Sequence, residues 1–510
     1  MRYTILLALL LTSATYAEDY SKYTLEALEE LVEEMATVEK KTLIPMRDGV
    51  GLSSDIYRPK GASGTLPTIF LRTPYNFNAP DSRRLRDIID AVSRGYAFII
   101  QNERGRYYSE GVFEILGHPR TDGFDALSWI EDQPWSNGKV GTIGCSSSAE
   151  WQLALAAMDH PAHAAMIPMA AGAGIGRVGE FHEQGNWYTG GVVRNLFIPW
   201  IHGIDNPLRA QIPAGLSQET RAHIGDYNDL EGKKADVEWS KQIHHLPFNE
   251  VLSDLGEPGA TFEEFIQRKP NDPGWFEGGL YHDNEAWGVP ALWFNSWYDV
   301  SIGPNMALYN HARQAGTDKE ARDNQYVIVA PVPHCDFYEM GPETTVGERE
   351  MGDTSFDVDK EVYAWFDRWL KNDKNAFSNR TPKVRYFTMG TNEWQSASQW
   401  PPKKSKPVRF YLHSNGNSNS LYGDGKLSLK LPNDHQPADQ FVYDPMNPVQ
   451  TIGGGDCCNG DIVIPGAFDQ RIIEVRQDVL VYTSEPLQEP LEVTGFIDAV
   501  LYVSSDAKDT

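Results

Sequence analysis

Short apolar runs alternate with stretches of helical periodicity through the first three quarters of the chain. Within the apolar runs, polar residues do not alternate regularly with apolar ones. These runs lie at 68–71, 96–101, 140–143, 165–169, 291–294 and 326–330. Helix-like stretches lie at 23–35, 85–93, 125–133, 149–158 and 358–371. Strands that lack polar alternation are buried on both faces, and strands that alternate with helices form parallel sheets covered by those helices. The pattern therefore predicts an α/β fold.

The same pattern divides the chain into units. Segment 176–290 interrupts the alternation of strands and helices, is rich in Trp, Gly and His and contains helical pieces such as 262–266. This composition predicts a helical cap domain inserted between the two parts of the α/β domain, 38–175 and 291–381. From 382 to 510, short strands separated by Asn, Gly and Pro turns predict a β-sandwich, with strands at 384–387, 408–412, 479–482 and 499–503. Because no element follows the last strand, we expect the sandwich to be incomplete and the chain to be a fragment of a longer protein.

The N-terminus has the pattern of a secretory signal peptide. Arg2 precedes an apolar stretch at 5–11, and the small residues at 15–17 provide a cleavage site. The apolar stretch is too short to span a bilayer. We therefore predict a signal peptide at 1–17 and a mature protein that begins near Glu18, in a periplasm or outside the cell.

Charge and cysteine content limit the partners and metal sites that the chain can have. The chain carries 71 acidic against 45 basic residues, for a net charge of −26, which argues against nucleic acid or an anionic membrane as partner. An exported protein can form disulfides, but sequence does not define how Cys145, Cys335, Cys457 and Cys458 connect. None of the four has the C-x-x-C spacing of a zinc site. The sequence therefore implies no metal.

Small residues mark a sharp turn between a buried strand and a helix at 144–149. Ser146 stands at its corner, as in the nucleophile elbow G-x-S-x-G, where the N–H groups of the following helix face the serine. Gly144 holds the first glycine position, but Ser148 occupies the second. The alternative is that these serines only cap the helix.

Two later strands end in residues that complete a catalytic set. Asp299 follows one strand and His334 follows the next, which gives the chain order Ser, Asp, His of α/β-hydrolases. A serine hydroxyl needs an adjacent base, and a carboxylate holds that base in the correct tautomer. Taken singly, Asp299 could be a turn residue and His334 a loop histidine.

Residues 174–179 match the dinucleotide-binding pattern G-x-G-x-x-G, but the context does not fit. No clear helix follows, and no second strand ends in an acidic residue at the required distance. We interpret this segment as the exit of the chain into the inserted domain. The sequence therefore implies no organic cofactor.

Several motifs together resemble one family of serine hydrolases. They are Leu-Arg-Thr-Pro-Tyr at 71–75, Glu-Arg-Gly-Arg at 103–106 with Ser-Glu-Gly at 109–111, the Ser146 elbow, Trp-Tyr-Asp at 297–299 and His334. They resemble the cocaine-esterase-like (CocE/NonD) hydrolases, which include α-amino-acid ester hydrolases, glutaryl-cephalosporin acylases and X-prolyl dipeptidyl aminopeptidases. That family's elbow usually has G-x-S-Y-x-G, whereas Ser147 and Ala149 stand here at the tyrosine and last glycine positions.

The resemblance implies an α/β-hydrolase fold with a helical cap and a C-terminal jelly-roll β-sandwich. It also implies an oxyanion hole formed by the Tyr75 hydroxyl and the backbone N–H of Ser147, although Tyr75 alone would suggest only packing. Aminopeptidase-like members hold the substrate amine with cap carboxylates, a role that Glu180 or Glu183 could take. The alternative is that both are exposed acids on an acidic surface.

We therefore predict an exported serine hydrolase that cleaves small esters, amides or short peptides through an acyl-enzyme on Ser146, with aminoacyl or X-Pro groups as candidate substrates. The sequence leaves open a homo-oligomer. The competing hypothesis is a catalytically inactive hydrolase fold that binds a ligand through its jelly-roll domain. The intact set of Ser146, Asp299, His334 and Tyr75 argues against it.

Overall fold

The computed structural model describes residues 20–189, 191–195, 197–205, 210, 212–256, 258–432, 435–459 and 462–507. The predicted signal peptide, 1–17, lies outside the described residues.

Strands occur along most of the described chain. Their bounds are β1 Ala36–Pro45, β2 Gly51–Pro59, β3 Leu66–Thr73, β4 Ala97–Asn102, β5 Ser136–Cys145, β6 His163–Met169, β7 Ile175–Arg177, β8 Tyr188–Thr189, β9 Val192–Val193, β10 Tyr281–His282, β11 Ala291–Tyr298, β12 Gln325–Pro333, β13 Thr344–Val346, β14 Arg349–Gly352, β15 Val384–Thr388, β16 Glu393–Ala397, β17 Tyr411–His413 and β18 Lys426–Ser428.

Helices connect most of the long strands. Their bounds are α1 Leu25–Met35, α2 Ser82–Ser93, α3 Pro119–Glu131, α4 Ser147–Ala156, α5 Phe197–Ile204, α6 Gln218–Gly225, α7 Trp239–Gln242, α8 Thr261–Phe265, α9 Ile302–Ala315, α10 Lys319–Asp323, α11 Val358–Leu370 and α12 Arg471–Glu474. Helix α3 begins six residues before the predicted start at 125, because Pro119 stands at its first turn, where a missing N–H costs nothing.

One ten-stranded sheet organises the molecule, in the order β1-β2-β4-β3-β5-β6-β11-β12-β15-β16. The seven strands from β4 to β15 in this order run parallel, and antiparallel pairs lie at the two edges. Each parallel step requires a crossover, and the crossover helices cover both faces of the sheet. The predicted α/β-hydrolase fold is confirmed.

Neighbouring residues of one strand enter different cores. Ile328 packs with α2 and α11 on one face, whereas Val327 packs with α9 on the other. Both side chains are fully buried. Burial on both faces explains why these strands show no polar alternation in the sequence.

The inserted segment has a hydrophobic core of its own. Strand β7 at its start pairs with β10 near its end, and between them lie α5 to α8. Trp187, Phe262 and Trp275 are buried in this core. Strand β7 lies within the G-x-G-x-x-G segment. A Cβ on Gly174 would lie 2.5 Å from the Glu150 carbonyl oxygen and one on Gly176 would lie 2.0 Å from the His282 ring, so these two glycines serve close packing.

The central sheet continues beyond residue 381, the predicted end of the α/β domain, because β15 pairs with β12 and β16 with β15. After residue 400 the described residues form one two-stranded ladder, β17 with β18, and isolated bridges such as Asn419 with Leu480. The jelly-roll arrangement therefore stays a prediction. In the described part of the chain, no helix is both long and apolar enough to cross a membrane.

Candidate active site

Ser146 lies in the tight turn between β5 and α4. Its backbone has φ 57° and ψ −135°, a conformation that a residue with a Cβ rarely adopts. The turn is held on both sides, since the Ser146 N–H donates to the carbonyl of Met169 at 3.0 Å and the Ser146 carbonyl accepts from Glu150 N–H at 3.0 Å. Strained residues of this kind persist only where the surroundings hold them, and they cluster at functional sites.

The close packing of this turn explains its small residues. A Cβ on Gly144 would lie 2.0 Å from the carbonyl oxygen of Ser148, so only glycine fits at the first position of the pattern. Ser148 is tolerated at the second because its hydroxyl lies 2.8 Å from the hydroxyl of Thr73. The departure from the usual pattern thus leaves the geometry of the turn intact.

Asp299 and His334 lie next to each other at the ends of β11 and β12. His334 Nδ1 lies 2.6 Å from Asp299 Oδ2, and the N–H of Ser301 donates to Asp299 Oδ1 at 2.8 Å. Nε2 of His334 is buried and has no hydrogen-bond partner in the described part of the chain. Burial by itself lowers the pKa of His334, but the Asp299 carboxylate, with smaller contributions from Cys458 and Glu150, raises it to about 9.

A disulfide joins the serine turn to the histidine loop. Cys145 and Cys335 are bonded, with their Cα atoms 6.0 Å apart. Cys145 precedes Ser146 and Cys335 follows His334, although β6 and β11 separate β5 from β12 in the sheet. The cross-link therefore holds the predicted nucleophile and the predicted base at the same end of the sheet.

Tyr75 follows β3 and reaches both the elbow helix and the cap. Trp200 of α5 donates its indole N–H to the Tyr75 hydroxyl at 3.1 Å. The Ser147 side chain hydrogen-bonds to Tyr75 and also to the buried carboxyl of Glu150. Burial raises the pKa of Tyr75 to about 12, against these hydrogen bonds, so the phenol keeps its proton at neutral pH.

Arg106, from the predicted family motif, fixes the Tyr75 loop in position. Its guanidinium donates to the carbonyl of Pro74 at 2.8 Å and to the carbonyl of Ile204 in the cap at 2.6 Å. Asn102 donates to the Tyr75 carbonyl at 2.9 Å. These contacts connect the loop that carries Tyr75 to the end of α5.

The two predicted amine-binding residues differ in their surroundings. Glu180 is exposed in the turn after β7. Glu183 is buried, and its carboxylate lies 3.7 Å from the guanidinium of Arg194. Arg194 in turn donates to the carbonyl of Val300, the residue after Asp299, and it interacts electrostatically with Asp456. The structure thus brings Glu183, but not Glu180, close to the residues around Asp299.

Sequence reasoning missed three features of the site. Glu150 is buried, and burial, with repulsion from Glu103, raises its pKa to about 8. Arg194 pairs with Glu183, and nothing in its local sequence indicates this partner. The glycine-rich loop at 453–458 packs on Asp299, and its adjacent cysteines were the one signal that could have drawn attention to it.

Among the described residues, one group has metal-ligand atoms close together, formed by a ring nitrogen of His334 and the sulfurs of Cys457 and Cys458 within 4.8 Å of one another. The two sulfurs are 2.7 Å apart. Two sulfurs on one tetrahedral zinc, at about 2.3 Å each, would be about 3.8 Å apart. The thiols therefore do not fit as a zinc pair.

Together, these groups suit acyl transfer. The site combines a hydroxyl on a strained turn, an imidazole oriented by a buried carboxylate, and a phenol beside the first N–H groups of a helix. Such groups supply a nucleophile, a base and donors for a developing oxyanion.

Comparisons with known proteins agree with this chemistry. Residues 48–336 match the family model of the X-Pro dipeptidyl-peptidase (S15 family), and 375–510 match the X-Pro dipeptidyl-peptidase C-terminal non-catalytic domain. The chain is 30% identical to a cocaine esterase of Rhodococcus sp. (strain MB1 Bresler), over 93% of this chain and 79% of that protein. It is 26% identical to a putative serine esterase of Mycobacterium tuberculosis, over 91% of this chain and 76% of that protein.

Solved structures with the same fold include an α-amino acid ester hydrolase, with a TM-score of 0.67, 22% identity and coverage of 95% of this chain and 77% of that one. An aminopeptidase from a marine sediment Thaumarchaeota archaeon has a TM-score of 0.65, with 22% identity and the same coverage of 95% and 77%.

Proposed function

We propose that this chain, which belongs to the X-Pro dipeptidyl-peptidase (S15) family, cleaves its substrate through an acyl-enzyme on Ser146. The family is a CocE/NonD group of serine hydrolases of the ester or X-Pro dipeptide type. The observation that carries this proposal is the Asp299–His334 pair, whose free Nε2 lies on the loop that a disulfide joins to the Ser146 turn. Each step of the reaction then has a residue to perform it.

In this mechanism Ser146 Oγ attacks the substrate carbonyl while His334 Nε2 accepts the hydroxyl proton. Asp299 holds Nδ1–H and stabilises the imidazolium. The Tyr75 hydroxyl and the Ser147 N–H donate to the oxyanion. His334 then protonates the leaving alcohol or amine, and a water activated by the same base releases the acid.

For the substrate, we propose a small ester or amide with a free α-amino group on the acyl side. The carboxylates of Glu183, 3.7 Å away, and of Asp456 both interact with the guanidinium of Arg194, so two negative groups share one positive charge and the balance favours an ammonium group. A charge-assisted hydrogen bond to that group contributes about 1.5–3 kcal/mol. Loss of the amine would then lower kcat/KM by about tenfold or more, since 1.4 kcal/mol is about one decade.

We also propose that the mature protein works in a periplasm or outside the cell. The signal-peptide pattern at 1–17 and the Cys145–Cys335 disulfide support this location, because disulfides persist in oxidising compartments. N-terminal sequencing of the native protein tests it, with a mature start near Glu18 as the expected result and an intact Met1 as the contrary one.

A fluorophosphonate probe tests the nucleophile directly. We expect the parent protein to be labelled and Ser146→Ala to lose labelling and turnover. Ser148→Ala, two residues away, removes a hydroxyl that lies 2.8 Å from that of Thr73; it serves as the matched control and should still be labelled. Labelling of Ser146→Ala would refute the assignment, and an unlabelled, correctly folded parent would favour the inactive ligand-binding hypothesis.

A panel of four substrates tests the acyl group: an amino-acid ester, its N-acetylated partner, an Xaa-Pro anilide and a butyrate ester. Preference for the first over the second supports amine recognition, and Glu183→Gln should reduce that preference. Equal rates for these two would leave a plain carboxylesterase. Selective cleavage of the anilide would instead identify an X-prolyl peptidase.

A further inference from the structure

A glycine-rich loop at 453–458 covers the Asp299 side of the candidate active site. A Cβ on Gly455 would lie 2.8 Å from the carbonyl oxygen of Asp299, so the loop backbone packs directly against that residue. Gly454 and Gly466 exchange two backbone hydrogen bonds, of 2.7 and 2.9 Å, which hold the base of the loop. The position of its last two residues is therefore defined by the fold.

Those two residues are Cys457 and Cys458, and they lie against the predicted base. A ring nitrogen of His334 and both sulfurs are within 4.8 Å of one another, and the sulfurs are 2.7 Å apart. Cys457 is buried. A disulfide bond is about 2.05 Å long, so the sulfurs need to approach by about 0.7 Å to form one. To share one zinc they would instead have to separate by about 1 Å.

We propose that Cys457 and Cys458 are an oxidative modification site, joined as a vicinal disulfide in the active enzyme, and that reduction of this bond lowers turnover by placing a thiol group against His334. The inference rests on the proposed role of His334 as the base. Oxidation breaks two S–H bonds and forms one S–S bond. The two electrons and two protons pass to an external disulfide, which is reduced to two thiols.

The reduced pair changes the charge beside the base. The hydrogen bond with Cys457 and the nearby His334 lower the pKa of Cys458 to about 7, so a thiolate forms near neutral pH. The ionisable groups that face His334 are then Asp299, Cys458, Glu150 and Asp336. The thiolate stabilises the imidazolium, which cannot accept the Ser146 proton. A neutral disulfide removes that negative charge and lowers the pKa of His334.

The vicinal bond should be the more easily reduced of the two disulfides. Neighbouring Cα atoms are about 3.8 Å apart, which is shorter than the usual 4.4–6.8 Å across a disulfide. Cys145 and Cys335, at 6.0 Å, lie within that range. Strained disulfides are the labile ones. A graded reduction can therefore open the vicinal bond first.

The experiment uses the full mature chain. Alkylation followed by mass spectrometry should find all four cysteines protected after treatment with oxidised glutathione, and only Cys457 and Cys458 alkylated after mild dithiothreitol. At pH 7, kcat/KM should fall on reduction by about tenfold for each unit by which the pKa of the base rises, and should recover on reoxidation. Above pH 10 the two forms should be equally active, because His334 is then deprotonated in both.

Cys457→Ala/Cys458→Ala is the matched control, because it keeps Cys145–Cys335 but has neither the vicinal bond nor the thiolate. Its activity at pH 7 should not respond to mild dithiothreitol. An equal loss in this variant would assign the effect to Cys145–Cys335 and overturn the proposal. So would two free thiols after treatment with oxidised glutathione, or a loss of the same size at pH 7 and pH 10.

Fluorophosphonate labelling separates this inference from the proposed function. If Ser146 is not the nucleophile, neither redox form is labelled at Ser146. If only the redox inference is wrong, both forms are labelled at the same rate at pH 7. We expect labelling in both forms, at a slower rate in the reduced one.

Discussion

Single residues of this site are held by contacts that leave them little freedom. Ser146 keeps a backbone conformation with φ 57°, which costs on the order of 1–3 kcal/mol and must be stabilised by its surroundings. The hydrogen bond to Met169 and the packing of Gly144 on Ser148 provide that support. In the proposed mechanism, a serine fixed in this way presents its hydroxyl without rearrangement during the reaction.

At the same scale, Tyr75→Phe tests the proposed role of the Tyr75 hydroxyl as an oxyanion donor. The ring is retained and the hydroxyl removed, so we expect turnover to fall by about 10²–10³-fold with little change in thermal stability. Trp200→Phe is the control, because it removes the N–H that donates to Tyr75 but keeps an aromatic ring and the Tyr75 hydroxyl, and it should have a far smaller effect. Steady-state kinetics on one ester provides the measurement. A decrease below about threefold for Tyr75→Phe would reassign the residue to packing.

Glu150 gives a pH dependence of stability. Its pKa is about 8 in the folded protein, well above that of an exposed glutamate, so the folded state binds a proton that the unfolded state has released. Stability therefore falls as pH rises from about 4.5 to about 8, by at most about 1.4 kcal/mol per pH unit. Glu150→Gln should unfold at a higher temperature than the parent at pH 8, and the two should converge at pH 5.

The control for Glu150→Gln is Glu29→Gln, which removes an exposed carboxylate of α1. Thermal unfolding of all three proteins at pH 5 and pH 8 provides the comparison. If the unfolding temperatures of Glu150→Gln and the parent differ by the same amount at both pH values, the Glu150 carboxyl does not keep its proton on folding.

At the scale of elements, the disulfide joins two turns whose strands, β5 and β12, are separated in the sheet by β6 and β11. Cys145 ends β5 and Cys335 follows β12, 190 residues later. The cross-link limits how far the Ser146 turn and the His334 loop can separate. Arg106 acts in a similar way between elements, since it binds the Tyr75 loop and the end of α5.

Cys145→Ala/Cys335→Ala tests this cross-link. Removal of a native disulfide commonly costs about 2–5 kcal/mol of stability. We expect a lower midpoint of urea unfolding and, under native conditions, slower labelling by the fluorophosphonate. Cys457→Ala/Cys458→Ala removes as many sulfurs without opening this cross-link and controls for their loss. Unchanged labelling would show that the sheet by itself positions Ser146 and His334.

For the whole molecule, charge affects how a substrate arrives. The chain has a net charge of −26, and its field extends over about 30 Å at 0.01 M salt but only about 8 Å at 0.15 M. For a cationic amino-acid ester, kcat/KM should therefore decrease as salt increases over this range. The N-acetylated ester has no positive charge and should show no such decrease. Parallel salt dependence for both esters would exclude steering by the protein's charge.

Local sequence determined the α/β part of the fold and the positions of the predicted triad. Runs such as 291–294 and 326–330 identify buried strands because burial on both faces leaves a continuous apolar signal within a few residues. Asp299 and His334 directly follow those strands, and the carboxyl ends of parallel strands meet at one edge of a sheet. Strand, turn and chain order were therefore sufficient to select them.

Only the tertiary structure decided the partners of these residues. Cys145 could have bonded with any of three cysteines, and Glu183 gave no sign that Arg194 would neutralise it. The contact of Trp200 with Tyr75 and that of the loop at 453–458 with Asp299 join segments more than 120 residues apart. Such contacts depend on how the cap and the C-terminal segment pack on the sheet, and residue patterns within one element carry no information about that packing.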